Sequence, residues 1–78
     1  MDVYGYITHL QKLGTILFSK NQLNERAGTG SSTNNYVVSM ERMGLIKRHG
    51  QQSGNVIYTI NDPKVIYAID NGLKIEKN

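Results

Sequence analysis

The chain has 78 residues and no cysteine, 38% of its residues are hydrophobic, and its net charge is +3. This length allows one small domain, residues 1–78, and leaves no room for a large buried catalytic cavity beside the core. The lack of cysteine excludes disulfides and thiolate metal sites. No apolar run is long enough to span a membrane and no signal peptide is visible, so we expect a soluble, cytoplasmic protein.

The net charge is concentrated in the middle of the chain. Residues 20–49 contain five basic and two acidic side chains, which accounts for the whole net charge of +3, whereas the segments on either side are neutral. A local concentration of positive charge is typical of a protein that binds a polyanion, although small domains are also often basic for solubility.

The N-terminal part of the chain predicts a helix and a short strand. Apolar residues at helical spacing favour a helix over 2–13, with Asp2 as its N-cap and Gly14 at its end. His9 is expected on the surface of this helix. Residues 15–18 are β-branched, aliphatic and aromatic, and they predict a strand.

Two further helices follow, joined by a turn of about four residues, which is the helix-turn-helix pattern. The capping box Ser19-Lys-Asn-Gln22 predicts a helix over 20–27 that ends at Gly28. The next helix is predicted over 31–43, capped by Ser31 or Ser32. Its inward residues are expected to be Thr33, Tyr36, Val37, Met40 and Met43, and its outward residues Ser31, Ser32, Asn34, Asn35, Val38, Ser39 and Arg42.

The C-terminal part of the chain predicts a β-hairpin and a last helix. The strands are expected over 45–49 and 56–60, with a flexible, uncharged turn over 50–55. Strand alternation would direct Lys47 and His49 to one face and Arg48 to the other. The sequence Asn61-Asp62-Pro63 then provides an N-cap and a proline at the first position of a helix that ends near residue 71.

This order of elements resembles the winged helix-turn-helix domain. The segment Gln22-Leu-Asn-Glu-Arg-Ala-Gly28 and the run Tyr36-Val-Val-Ser-Met-Glu-Arg-Met-Gly-Leu-Ile-Lys-Arg48 carry the likeness. Both are similar to the MarR-type and ArsR-type pattern, and the resemblance covers residues 2–60. Small winged-helix proteins of this size are known from archaeal viruses and plasmids. The resemblance implies an α+β fold with the order helix, strand, helix, helix, β-hairpin wing and C-terminal helix.

The resemblance also implies a sequence-specific protein for double-stranded DNA, a transcriptional regulator associated with the nucleoid. The helix over 31–43 would read bases in the major groove, and the wing over 45–60 would contact the backbone or the minor groove. Asparagine can pair with adenine, and basic groups and helix amides bind phosphate. The candidate DNA-binding residues are Lys20, Asn21, Ser31, Ser32, Asn34, Asn35, Ser39, Arg42, Lys47, Arg48, His49, Gln51 and Gln52.

Each of these features also has a simpler interpretation. Asn34 and Asn35 would suit any solvated helix start, Lys47 and Arg48 would protect an edge strand from aggregation, and the polar turn would need no ligand. The rival function is a winged-helix module for protein–protein interaction without direct DNA readout.

Catalysis is not expected. His9 and His49 are far apart in sequence and lack partners at metal-ligand spacing, and no Ser/His/Asp arrangement is visible. The segment 28–33 is rich in glycine, serine and threonine, but it lacks the Gly-Lys-Ser/Thr ending of a phosphate-binding loop. We therefore expect no enzyme activity, cofactor, metal or small-molecule ligand.

A homodimer is the expected assembly, because one reading helix covers few base pairs and a two-fold dimer doubles the site. The last helix and the tail carry more apolar residues than one side of a thin core needs. We expect the dimer to form through this helix, helped by the first. The residues concerned are Val65, Ile66, Ile69, Leu73 and Ile75, with Val3, Tyr4 and Ile7.

Overall fold

The computed structural model describes residues 2–75. Within them the fold is α+β with four α-helices, as the sequence predicts, and its three strands form one antiparallel sheet. This arrangement is compatible with a winged helix. The elements are α1 (Val3–Leu13), β1 (Leu17–Phe18), α2 (Lys20–Ala27), a 3₁₀ turn (Gly30–Ser32), α3 (Thr33–Arg42), β2 (Ile46–Gln52), β3 (Asn55–Ile60) and α4 (Pro63–Asp70).

Local capping sets the ends of α1, α2 and α4, and the predicted caps are confirmed. The Asp2 carboxylate accepts a hydrogen bond from the amide of Gly5, and the Asp62 carboxylate accepts from the amides of Lys64 and Val65. Both hydrogen bonds of the α2 capping box are present. Gly28 then ends α2 with a φ of 67°, a left-handed conformation that favours glycine over other residues.

The sheet has the strand order β1-β3-β2, with β3 in the centre. Phe18 and Arg48 both pair with Tyr58, while Leu17 and Lys47 both pair with Thr59. Directly paired residues lie on the same face of a sheet. One face therefore carries the buried rings of Phe18 and Tyr58, and the other face, with Leu17, is turned away from the core.

The hairpin differs from its predicted form. Strand β2 continues to Gln52, so Gln51 and Gln52 belong to the strand and only Ser53 and Gly54 form the turn. Both turn residues have positive φ, 52° and 81°, as a type I′ turn requires. The sequence did not indicate the longer strand because every residue of β2 after Ile46 is exposed and no apolar alternation marks it.

The core lies between the helices and one face of the sheet. Its fully buried side chains include Tyr58, Phe18, Leu10, Leu13, Leu23, Met40, Ile46, Ile60, Val37 and Val65. Two placements predicted from the sequence are wrong. Met43 is exposed rather than a core filler, because α3 ends at Arg42 and the chain turns away. His9 is half-buried rather than on the surface, because Tyr36 packs against its ring.

Helix α4 packs on α1 and encloses a shallow groove of about 460 Å³ lined by Thr8, Gln11, Lys12, Ala68, Ile69 and Leu73. We call this the α1–α4 groove. The side-chain amide of Gln11 donates to the carbonyl of Leu73 at 3.1 Å, which holds the tail beside α1.

The apolar residues around α4 fall into two groups. Val65 is buried, and Ile66, Ile69 and Ile75 pack partly against the core, whereas Leu73 and Tyr67 are 53% and 63% exposed. Ile7 is buried in the core, so it is not available to a partner as the sequence suggested. Among residues 2–75, no helix is long and apolar enough to cross a membrane.

Candidate nucleic-acid interface

The turn between α2 and α3 is built by side chains from both of its ends. The carboxamide oxygen of Asn24 accepts from the amide of Gly30 at 2.7 Å. The Thr33 hydroxyl donates to the carbonyl of Gly30 at 2.7 Å and is also hydrogen-bonded to the Thr29 hydroxyl. Thr29 is polar but can be buried, because the Thr33 hydroxyl gives its hydroxyl group a hydrogen-bond partner. These contacts fix where α3 leaves α2.

A serine stands at the N-cap position of α3 as predicted, but the predicted capping hydrogen bond is wrong. Ser32 occupies the N-cap position, but its side chain makes no capping hydrogen bond, and Gly30, Ser31 and Ser32 form a 3₁₀ turn instead. The backbone amide of Thr33, the first residue of α3, donates to the carbonyl of Gly30 in that turn instead. Ser31 is therefore exposed and Ser32 half-buried at the start of α3.

The outward face of α3 forms an exposed strip, hereafter the α3 strip, made of Asn34, Asn35, Val38 and Arg42. Val37 and Met40 on the opposite face are buried, so the orientation of the helix is set by its core contacts. Asn34 and Arg42 lie eight residues apart, about 12 Å along a helix. Ser39, which the sequence also turns outward, is half-buried beside the strip.

Lys20 joins the start of α2 to the α3 strip. Its ammonium group donates a hydrogen bond of 2.6 Å to the carboxamide oxygen of Asn34. The two residues are fourteen positions apart in sequence, and both are exposed. A positive charge therefore lies directly beside the amide groups at the start of α3.

The start of α2 also lies close to the tip of the hairpin. A cleft of about 270 Å³ is lined by Ser19, Lys20 and Asn21 on one side and by Gly54, Asn55 and Val56 on the other. The Ser19 hydroxyl accepts from the amide of Gln22, and the first amides of a helix have no partners within it. The positive end of the α2 dipole therefore adds to the charge of Lys20 in this cleft.

The basic residues of the hairpin are divided between its two faces. Arg48 pairs with Tyr58 and lies on the sheet face that carries the core, whereas Lys47 pairs with Thr59 on the other face. A β-bulge between Arg48 and Gly50 contains His49. The bulge interrupts the alternation of side chains along β2. Strand alternation therefore no longer predicts that Lys47 and His49 lie on the same face. All three side chains are exposed.

Not every basic residue of the middle segment belongs to this surface. The Arg26 guanidinium donates to the carbonyl of Leu13 at 3.2 Å, so it links the end of α2 to the end of α1. The other basic residues of this segment are exposed: Lys20 on α2, Arg42 on α3, and Lys47 and Arg48 on the two faces of the hairpin.

An aromatic cluster behind α3 connects it to α1. The ring of Tyr36 lies 4.8 Å from that of His9 and 5.8 Å from that of Tyr6, centroid to centroid. The Nδ1 atom of His9 is buried and has no hydrogen-bond partner among residues 2–75. Burial lowers the pKa of His9 below its ordinary value of 6.5, the charge of Lys12 lowers it further, and the Ala27 backbone opposes the shift. The neutral imidazole therefore suits this position.

Sequence reasoning did not count one residue of this surface as a contact. Val38 was expected to face outward but was not counted as a contact residue, and it is 40% exposed between the polar residues of the α3 strip. The sequence could have indicated this contact, because Val38 is an apolar residue among the polar residues that face outward on α3. Asn55, which the sequence placed in the polar turn as a possible minor-groove contact, lines the cleft beside α2, and this position depends on the tight turn of the hairpin.

Comparisons with protein-family models, with curated proteins and with solved structures found no match to this chain. Among residues 2–75, no group of three or more histidine, cysteine, aspartate or glutamate side chains is placed to hold a metal ion.

Proposed function

We propose that the chain is a winged helix-turn-helix protein that binds double-stranded DNA in a sequence-specific manner and regulates transcription. In this proposal α2 and α3 form the helix-turn-helix and the β2–β3 hairpin is the wing. The observation that carries it is the contact between Lys20 and Asn34, which puts a cation and base-pairing amides on one exposed surface. Phosphate binding and base reading both require such a surface.

Helix α3 would enter the major groove with the α3 strip facing the bases. The amides of Asn34 and Asn35 can form paired hydrogen bonds with base edges, and Arg42 can contact a base or a phosphate. Val38 lies between them, where an apolar side chain can contact the methyl group of thymine.

The flanking backbone would be held from two sides. The cleft formed by Lys20, Asn21 and the hairpin tip offers helix amides and a cation to one phosphate. Arg48 would approach the backbone from the sheet face that carries the core. Gln51 and Gln52, exposed near the tip, would reach the minor groove or the backbone beside it.

The rival function, a protein-interaction module, predicts an exposed apolar patch on this same surface. Of the exposed large hydrophobic residues, Val38 and Met43 lie on or next to α3, and the others lie on α1, β1, α4 and the tail. The distribution therefore supports DNA for the α3 surface and a protein partner for the surface around α1 and α4.

A second copy of this chain is the partner we propose for α1 and α4. Val3, Tyr4, Tyr67 and Leu73 are exposed on these elements and the following tail, and the α1–α4 groove adjoins Leu73. A two-fold dimer would present two α3 helices to the two halves of a palindromic site.

The direct test is fluorescence anisotropy with labelled duplexes of random sequence at low salt. We expect wild type to bind and Arg48→Gln to bind several-fold more weakly. Lys64→Gln is the matched control, because it removes one exposed positive charge from the first turn of α4. Equal losses for the two variants, or no binding of duplex DNA by wild type, would contradict the proposed function.

A further inference from the structure

The contact between Lys20 and Asn34 fixes the chemical character of the Asn34 amide. An ammonium group is only a donor, so the atom of Asn34 that meets it at 2.6 Å must be the carbonyl oxygen. The amide nitrogen of Asn34, with two N–H groups, is then directed away from Lys20. Lys20 also keeps two further N–H groups, so the two side chains together present donors.

Such a group of donors does not match adenine. Paired readout of adenine needs the amide oxygen to accept from the N6 amino group while the amide nitrogen donates to N7. A second donor at the Asn34 oxygen would bring the adenine amino group, which is partially positive, against the ammonium charge. Guanine instead offers two acceptors, O6 and N7, on its major-groove edge.

The neighbouring residue provides the contrast. Asn35 is exposed on the same strip, and its side chain has no hydrogen-bond partner among residues 2–75. Its amide can turn to present both an acceptor and a donor, as adenine requires. Two adjacent asparagines thus differ in their chemistry because only one of them is bound by a lysine from another helix.

We propose that Lys20 is a specificity-determining residue: it holds Asn34 as a donor, so that the Lys20–Asn34 pair selects guanine while Asn35 selects adenine. This inference rests on the proposed function, because it assumes that α3 enters the major groove.

The test begins with site selection from random duplexes using wild type. The base pair read by Asn34 is the one at which Asn34→Ala removes discrimination. At that pair, wild type should prefer guanine to adenine by about 5- to 150-fold, the range for one well-made paired contact. In Lys20→Met the preference should fall to less than a fifth of the wild-type value. Adding Asn34→Ala to Lys20→Met should remove whatever discrimination is left.

Two controls separate base reading from general attraction. Lys47→Met removes an exposed positive charge from the hairpin and should weaken the guanine and adenine duplexes alike. Replacing the selected guanine with 7-deazaguanine removes the N7 acceptor, and this should weaken binding by wild type but not by Asn34→Ala.

The possible failures are distinguishable. If wild type prefers adenine at this pair, if Asn34→Ala alters no pair, or if Lys20→Met weakens both duplexes equally, the inference is wrong while DNA binding stands. Equal weakening would identify Lys20 as a phosphate contact only. If wild type binds no duplex at low salt, the proposed function fails and the inference fails with it.

Discussion

Helices α3 and α4 bury similar faces but expose different ones. Val37 and Met40 of α3 and Val65 and Ala68 of α4 are buried in the same way. Outside these buried positions, the α3 strip has three polar residues around one valine, whereas α4 exposes the aromatic ring of Tyr67 between Lys64 and Asp70 and is followed by exposed Leu73. The buried face determines how each helix packs, and the exposed face is free to determine its partner. We therefore infer a polar partner, DNA, for α3 and an apolar partner, a second copy, for α4.

The largest expected effect concerns salt and tests the polar half of this comparison. If each protomer neutralises about three to five phosphates, affinity should fall about 40- to 500-fold between 50 and 200 mM salt. Anisotropy titrations across a salt series measure the slope. Arg48→Gln should reduce that slope by about one, the share of one phosphate contact. An affinity that stays constant with salt would exclude the electrostatic basis of the proposal.

The next effect concerns base reading by the α3 strip. Asn35→Ala should weaken a preferred site by about 1–3 kcal/mol and leave random duplexes almost unaffected, because the lost contact reads a base. Arg48→Ala provides the opposite pattern and should weaken both kinds of duplex alike. Competition titrations with the two duplexes measure both ratios. If Asn35→Ala weakened random duplexes as much as the preferred site, Asn35 would be a positioning contact.

A smaller effect tests the apolar half of the comparison. Sedimentation at micromolar concentration without DNA should show a dimer. Leu73→Asp should raise its dissociation constant about tenfold or more, since a buried leucine contributes about 1.5–3 kcal/mol.

Leu17→Asp is the matched control, because Leu17 is a similarly exposed leucine but lies on the outer face of the sheet. It should leave the dimer unchanged. A wild-type monomer, together with a Leu73→Asp variant that binds DNA as well as wild type, would exclude this interface.

The sequence predicts those parts of the fold whose determinants are local. The starts of α1, α2 and α4 follow from their N-caps Asp2, Ser19 and Asp62. Each of these side chains accepts a hydrogen bond from amides in the first turn of the helix that it caps. The start of α3 differs because the turn before it is held by the side chain of Asn24, which lies in the last turn of α2 and accepts a hydrogen bond from the amide of Gly30. No local pattern records that contact.

The same distinction applies to the candidate site. The outward positions of Asn34, Asn35 and Arg42 follow from helical periodicity alone. The hydrogen bond between Lys20 and Asn34 does not, because it depends on the angle at which α2 and α3 meet. Likewise, the separation of Lys47 from Arg48 follows from strand alternation, whereas the bulge at His49 does not.

The smallest expected effect concerns His9, whose burial the sequence also missed. Its pKa is below 6.5 in the folded protein because burial and Lys12 disfavour the charged form. The unfolded chain therefore binds a proton more readily, and stability should decrease as the pH falls through about 6.5 towards the lower pKa of the folded state. Urea unfolding between pH 8 and pH 5 measures this trend.

Two variants isolate the contribution of His9. His9→Gln should reduce the loss of stability over this pH range, because the imidazole that packs on Tyr36 no longer titrates. His49→Gln is the matched control, since His49 is exposed on the hairpin, and it should retain the pH dependence assigned to His9. Identical pH profiles for wild type and His9→Gln would contradict this account.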